Sequence, residues 1–514
     1  MMNNNVNYMD IPKEKFEFVS TNEKIHDQKL DTKPIGYFKD AWIRFKKNKS
    51  SVVAAGIILV LVLFAIIAPL LSPYTVDDRD GYYAKVLPKN NFLSHFGIWD
   101  GTSKKTVNLT RYYYLKALGE ESGKDVLVGK AKFKQDAEGN YTVDVRVDSY
   151  NEVGFIYVNL TEEEYFALQQ YQDEKQVQIM YPIPETYKTS YAIGNGGANF
   201  WYKLQNEKKE STGQPLLDDN GNFQHNYKTS TNPNYGKYTS TMRLANDTAE
   251  DGKWFVYGIK NQTGYKARVL YSEYYEYQNG HEAKFLFGTN AYGQDIFTCL
   301  AAGARLSFIL AVCVSVINLT IGAIYGAIEG YYGGTTDLIM ERVSDILASV
   351  PFMVVVVLFK LHLAEKVGIL PSLLFAFVLT GWIGMAGRVR MQFYRFKGQE
   401  YVLAARTLGA RDFRIMFKHI FPNALGTIIT GSVLVIPGVI FTESSLSYLG
   451  IINLETSSLT SVGTLLSQGQ GYLSTHPHMI LFPALFISLL EISFNLFGNG
   501  LRDAFNPSLR GVEE

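Results

Sequence analysis

Val52-Val-Ala-Ala-Gly-Ile-Ile-Leu-Val-Leu-Val-Leu-Phe-Ala-Ile-Ile-Ala-Pro-Leu-Leu71 runs for twenty residues without a charge. A helix of that length rises about 30 Å, roughly the hydrocarbon thickness of a bilayer. The residues before it, 1–50, are polar. The run ends in Ser72-Pro73-Tyr74, without the small-residue pattern at which signal peptides are cut. The sequence therefore reads as a membrane protein that keeps its first span, 51–72, as an anchor.

Outward from that run, five more apolar stretches lie near 303–328, 338–362, 368–388, 424–446 and 478–498. The second of these carries Glu341 and Asp345 early, so its apolar core is short. Six spans put both termini on one side, and positive charge says which. Lys33, Lys39, Arg44, Lys46, Lys47 and Lys49 precede span one. Arg388, Arg390, Arg395, Lys397, Arg406, Arg411, Arg414 and Lys418 lie between spans four and five, and Arg502 and Arg510 follow span six. All three groups fall on one side if that side is the cytoplasm. The expected fold class is membrane all-α, six transmembrane helices with an inserted extracytoplasmic α+β domain. The expected organisation is a cytoplasmic segment 1–50, span one, the insert 73–287, a membrane domain 288–500 and a cytoplasmic tail 501–514.

The insert holds 24 of the chain's 34 tyrosines and neither of its two cysteines, Cys299 and Cys313. It therefore folds without disulfides, and the chain has no cysteine metal site. Thr142-Val-Asp-Val-Arg-Val147 and Gly154-Phe-Ile-Tyr-Val-Asn-Leu160 alternate like half-buried strands. Lys132 to Val147 reads as a hairpin around Asp136-Ala-Glu-Gly-Asn140. Thr161-Glu-Glu-Glu164 is a capping box that opens a helix to about Gln176, and Asp218-Asp-Asn-Gly221 marks a turn. Zero net charge gives no reason to expect nucleic acid as a partner.

The stretch 388–422 reads as a two-helix knob. Tyr401, Ala404, Ala405 and Leu408 form one apolar stripe, and Gly409 suits the end of that helix. Phe413, Met416, Phe417 and Ile420 form a second stripe, with Arg411, Arg414 and Lys418 on another face and Pro422 closing the element. By periodicity alone the knob is either a docking element or a basic amphipathic loop lying on anionic lipid.

Leu403-Ala-Ala-Arg-Thr-Leu-Gly409, followed by His419-Ile-Phe-Pro422, resembles the EAA loop of ABC-importer permeases. Glu400 through Asn423 is similar to the dipeptide/oligopeptide permease family, C-type subunit. Phe287-Gly-Thr-Asn-Ala-Tyr-Gly-Gln-Asp295, Gly303-Ala-Arg-Leu-Ser307, Glu443-Ser-Ser-Leu-Ser-Tyr-Leu-Gly450 and Asn495 through Arg510 resemble further motifs of that family. The resemblance covers roughly 33–75 and 285–511, leaving about 98–280 as an addition. It implies the type I ABC importer permease fold and a subunit without chemistry of its own. The implied partners are a second permease, two cytoplasmic ATPases that bind ATP and Mg, and a lipid-anchored extracytoplasmic peptide-binding protein. The implied coupling residues are Glu400, Leu403, Ala404, Ala405, Gly409, Phe413, Phe417 and Pro422. The family's EAA glutamate falls at Leu403, with Glu400 one turn earlier.

Other features read more plainly. Gly119-Glu-Glu-Ser-Gly-Lys124 is too short for a phosphate loop and has Asp125 where Ser or Thr is required. His476 and His478 flank Pro477 and read as chance neighbours, not metal ligands. Glu443 and Glu491 are ionisable residues within spans, candidates for the pathway or an interface. Gly322, Gly330, Gly333 and Gly334 suit close helix packing and a tight turn. The tyrosine-rich insert suits docking of the binding protein, direct ligand contact or a scaffold role. A membrane-anchored sensor or adhesion protein is the competing reading, and it has no use for the knob. The Lys, Asn and Tyr richness points to a Gram-positive plasma membrane.

Overall fold

The structure, a computed structural model, describes residues 37–135, 141–185, 197–207, 210–232, 251–454 and 459–505. The hairpin tip at Asp136–Asn140, Lys33, Arg510 and most of the expected terminal segments lie outside the described residues.

Span one is the helix Lys49–Leu71, opened by Asn48, whose side chain accepts from the Ser51 N–H. Its buried residues are mostly small: Ser51, Ala54, Ala65 and Ala68 with Leu61. Small side chains let it lie close against the helices Ile296–Tyr332 and His478–Phe505. The larger Val53, Val60, Leu70 and Leu71 point outward. That inversion of the soluble pattern is what a helix solvated by hydrocarbon needs.

Among the described residues, five helices are long and apolar enough to cross a membrane: Lys49–Leu71, Ile296–Tyr332, Ile369–Phe396, Asp412–Tyr448 and His478–Phe505. The crossing expected at 338–362 is not one straight helix. Gly334–Ala348 and Phe352–His362 meet at 69°. Pro351 explains the break, because it has no N–H to continue the ladder and holds Val350 out of the helical region. The helices also overrun the expected bounds. The Ile296 helix begins seven residues before 303, and residues 388–396 continue the span-four helix, so the expected loop 388–422 contracts to the segment between Phe396 and Asp412.

Ile296–Tyr332 and Ile369–Phe396 touch backbone to backbone. A Cβ on Gly322 would lie 2.8 Å from the Trp382 carbonyl oxygen, and one on Gly330 2.7 Å from that of Arg390. Gly326, between them at the same spacing, is tighter still, at 2.2 Å from the Ala386 carbonyl. Sequence reading picked out Gly322 and Gly330 but passed over Gly326. Gly333 and Gly334 take positive φ in the turn to the next helix.

The described residues between 73 and 287 form an α+β unit. Thr102–Asn108, Tyr141–Asp148 and Lys132–Gln135 make a three-stranded antiparallel sheet, which contains the expected hairpin. Phe155–Leu160 and Gly258–Lys260 flank Tyr265–Leu270 in a second sheet, where Met180–Tyr181 also pairs with Tyr265–Leu270. The capping box is formed in both directions between Thr161 and Glu164, and its helix runs Glu162–Lys175 with Gln176 left-handed. Asp218 accepts from the amides of Asn220 and Asn222, making the expected turn. Gly119–Lys124 ends the helix Leu109–Ser122, the opposite end from the one that binds phosphate. There Glu121 is enclosed in an ion pair with Arg268, which also donates to the Ala198 and Pro182 carbonyls.

The α+β unit sits on one end of the helices. Phe287 stacks on Phe482 at 4.0 Å, Trp99 packs edge-on against both, and Asn290 donates to Gln468. His478 is buried with Nε2 at 3.3 Å from the Thr289 carbonyl oxygen. No group of three or more His, Cys, Asp or Glu able to hold a metal occurs among the described residues.

Replacing Gly326 by leucine is expected to force the two helices apart. The overpacking costs about 1–3 kcal/mol, visible as a lower thermal midpoint of the purified protein. Gly384→Ala, whose added Cβ meets nothing within 4 Å, is expected to leave the midpoint unchanged.

Candidate functional site

The site lies at the end of the helices away from the α+β unit. Glu400–Thr407 is a short helix with Glu400 in its first turn, where a carboxylate favours the amide-rich end. Its inward anchor is Val402, which is fully buried with Val389, Phe393, Ile415, Met416 and Ile420. Gly409 takes φ +79° and ends the helix as its position suggested, while the Ala410 N–H donates to Ala405 O at 3.1 Å. Only glycine, or at some cost Asn or Asp, takes that conformation readily.

The second half departs from expectation. Pro422 does not close the element; the helix continues past it to Val433 and, after the turn residue Leu434, resumes to Tyr448. Residues Ile415–Ile420 form a π turn, with the Phe421 N–H reaching Met416 O five residues back. A proline in an α-helix removes one N–H and presses its ring on the carbonyl four residues earlier. Widening the preceding turn relieves both and keeps the helix going. It also rotates the faces, so the expected stripe splits. Ile415, Met416 and Ile420 turn inward, Phe417 is half-buried, and Phe413 is 71% exposed.

The stripe read in the first helix is the outward one. Tyr401, Leu403, Ala404 and Leu408 are exposed, Leu408 at 88%, and Ala405 is half-buried. With Phe413, and with Arg411, Arg414 and Lys418 around it, this face forms an apolar knob with a basic surround.

Polar bonds tie the knob to the long helices. The Tyr331 hydroxyl donates to Asp412 Oδ1 at 2.6 Å and accepts from Arg406 at 3.3 Å. Arg390 forks onto Asp337 at 2.6 and 2.8 Å and onto Glu341 at 3.0 and 3.2 Å, with Glu329 at 3.8 Å. Tyr394 donates to Asp337, and Lys397 to the Gly330 carbonyl. One guanidinium thus joins the ends of spans two, three and four. Bidentate pairs of this kind are the stronger class of ionic contact. Sequence reading missed this network. Its signal was Asp337 and Glu341 one turn apart on a helix, opposite a helix with Arg390 in its last turns.

The two candidate glutamates separate. Glu443 is fully buried. The Ser307 hydroxyl donates to Oε2 at 2.9 Å and the Ser447 hydroxyl to Oε1 at 3.1 Å, with Ser444 alongside. Gly463 packs against Ser444 and Gly303 against Ser461, which is how the 461–463 segment comes close enough to cover the carboxylate. Glu443 therefore clasps spans two and five. Glu491 is half-buried in span six, and its Oε1 has no hydrogen-bond partner among the described residues. Asp295 caps the Ile296 helix through Thr298, and burial pushes its carboxyl up to about 6.

Residues 318–511 match the family described as binding-protein-dependent transport system inner membrane component. Residues 36–90 match the N-terminal TM domain of oligopeptide transport permease C. The oligopeptide transport system permease protein OppC of Bacillus subtilis is 46% identical over 224 residues, 44% of this chain and 72% of that protein. The dipeptide transport system permease protein DppC of the same organism is 41% identical over 225 residues, 44% of this chain and 69% of that one. The chain belongs to the oligopeptide and dipeptide permease family of ABC transporters. The two family matches leave residues 91–317, and with them most of the α+β unit, outside.

Tyr331→Phe removes the hydroxyl between Asp412 and Arg406 and is expected to cost about 1 kcal/mol. Hydrogen exchange measured by mass spectrometry should quicken in 400–414 and stay unchanged in the α+β unit. Unchanged exchange at 400–414 would show that the knob is held by its apolar anchors alone.

Proposed function

We propose that this chain is one of two permease subunits of an ATP-driven peptide importer, and that the knob is where ATPase motion enters it. The observation that carries the proposal is the exposed apolar face of Tyr401, Leu403, Leu408 and Phe413. It stands on a base bonded to Tyr331 of the Ile296–Tyr332 helix, beside the Arg390 network that joins the neighbouring helix ends. A surface that is apolar outward and fixed inward is suited to be gripped and pulled.

In this reading the chain crosses the membrane six times in the type I arrangement, the bent pair serving as the third crossing. Both termini and the knob face the cytoplasm, where the positive residues collect. Two ATPases bind ATP and Mg and seat on Glu400, Leu403, Ala404, Ala405, Gly409, Phe413 and Phe417 and on the corresponding loop of a second permease. Pro422 shapes the turn beneath them. Leu403 replaces the family's glutamate with an apolar contact, and Glu400 supplies the carboxylate one turn away. The α+β unit faces outward and docks a lipid-tethered peptide-binding protein through its tyrosine-rich surface. Glu491, with an unsatisfied carboxylate oxygen, meets the second permease or the pathway. A Gram-positive plasma membrane suits this arrangement.

The test is peptide-stimulated ATP hydrolysis and uptake by the reconstituted complex, comparing wild type with Leu408→Asp. Leu408 is a cleaner target than Gly409, where any other side chain also strains the backbone. An apolar anchor in an interface is worth about 2 kcal/mol or more, so stimulated hydrolysis should fall by roughly tenfold or more. Unchanged hydrolysis and uptake would remove the knob from the coupling path and return attention to the α+β unit as a sensor or adhesion module.

A further inference from the structure

Three arginines at the knob end of the helices differ from Arg390 in one respect: among the described residues, no carboxylate pairs with them. Arg388 and Arg395 stand two turns apart on one face of the span-four helix, and Arg502 comes from the last turn of span six. Together with Thr427, Gly431 and Phe505 they line a cavity of about 330 Å³ with no acidic side chain among its described lining residues. The contrast is close at hand. Arg390, two residues along from Arg388, has three carboxylates within 4 Å, whereas none of the three lining arginines has an ion pair among the described residues.

The cavity is also shaped around one of them. Arg388 donates to the Gly431 carbonyl at 3.1 Å, and a Cβ at Gly431 would lie 2.8 Å from the guanidinium. The span-five helix thus leaves room for a guanidinium held at the rim. Leu434 and Phe505 add an apolar wall. Guanidinium groups from two helices, walled by a third, meet at one cavity and repel one another unless an anion sits between them. The planar fork of arginine matches phosphate oxygens in pairs. Basic pockets between transmembrane helices on the cytoplasmic side are where anionic head groups bind.

We propose that this cavity holds a phosphate group, bridging spans four, five and six beside the knob. The chemistry is shared by an anionic phospholipid head group and by free phosphate, and the apolar wall suits a head group whose glycerol and chains continue toward the bilayer. A phosphate there would lock the three helices as a unit at the end where the knob is attached. The site is independent of what the transporter carries, so it stands or falls apart from the import reading.

The test uses the purified complex in neutral detergent, with thermal midpoint and native mass spectrometry as readouts. Phosphatidylglycerol is expected to raise the midpoint and remain bound where phosphatidylcholine does not. The Arg395→Gln/Arg502→Gln double variant should retain it roughly tenfold less. Thr427→Glu, which keeps every arginine and places a carboxylate at the cavity, should abolish the response too. Inorganic phosphate reproducing the shift in the absence of lipid would support the site and assign it to the free anion. Equal responses in wild type and both variants, or no response to lipid or phosphate, would overturn the proposal. So would loss of the second permease from the double variant with no anion response in wild type, because the arginines would then be paired by that subunit's carboxylates.

Discussion

At Gly326 the backbones of Ile296–Tyr332 and Ile369–Phe396 come so close that no side chain fits between them, and the knob end of the molecule depends on that approach. Helices in a bilayer gain nothing from hiding apolar surface from one another, since lipid is as apolar as leucine. What holds them is close contact and the polar bonds that close contact permits. The glycine stripe brings span four near enough for Arg390 to reach Asp337 and Glu341, and for Lys397 to reach the Gly330 carbonyl. Tyr331, one residue past Gly330, is placed to hold Asp412 and Arg406. Widen that contact and the ion pairs, then the knob, lose their footing.

A second polar contact does similar work nearer the other end. Glu443 costs free energy to bury, and hydroxyls rather than a cation offset it. Serines are small, so the clasp also keeps spans two and five close. The two ends are thus held by different chemistry: an ionic fork beside the knob, and a hydroxyl-lined carboxyl farther along span five. The junction with the α+β unit is aromatic, with Trp99, Phe287 and Phe482 stacked across it.

What could be read from the sequence follows from the range of the forces involved. An uncharged run of twenty residues, a capping box at Thr161 and a glycine at a helix end act through neighbours along the chain, and all three appear in the structure as expected. The family motifs were legible for the same reason, being contiguous. The misses were all matters of direction or distance. Pro351 and Pro422 are equally visible in the sequence, yet one breaks its helix and the other is absorbed by a wide turn. Only the packing of Ile415, Met416 and Ile420 decides the second case. The stripe at 401–408 was correctly found as a face, but nothing local says whether that face looks inward or outward. Arg390 could not be matched to Asp337, 53 residues earlier in the chain, without knowing that Gly322, Gly326 and Gly330 bring their helices together.

The run from Asp412 to Tyr448, broken only by a single turn residue at Leu434, gives the molecule a lever. Thirty-seven residues of helix extend about 55 Å, with the knob at one tip and Glu443, clasped to Ser307, near the other. Had Pro422 broken the chain into separate helices, a push on the knob would have been taken up in a hinge. Because the π turn carries the helix past the proline, a rotation of about 10° around its middle moves each tip by about 5 Å. The far tip meets the residues that close over Glu443, so the knob and the latch between two helices are carried on one element.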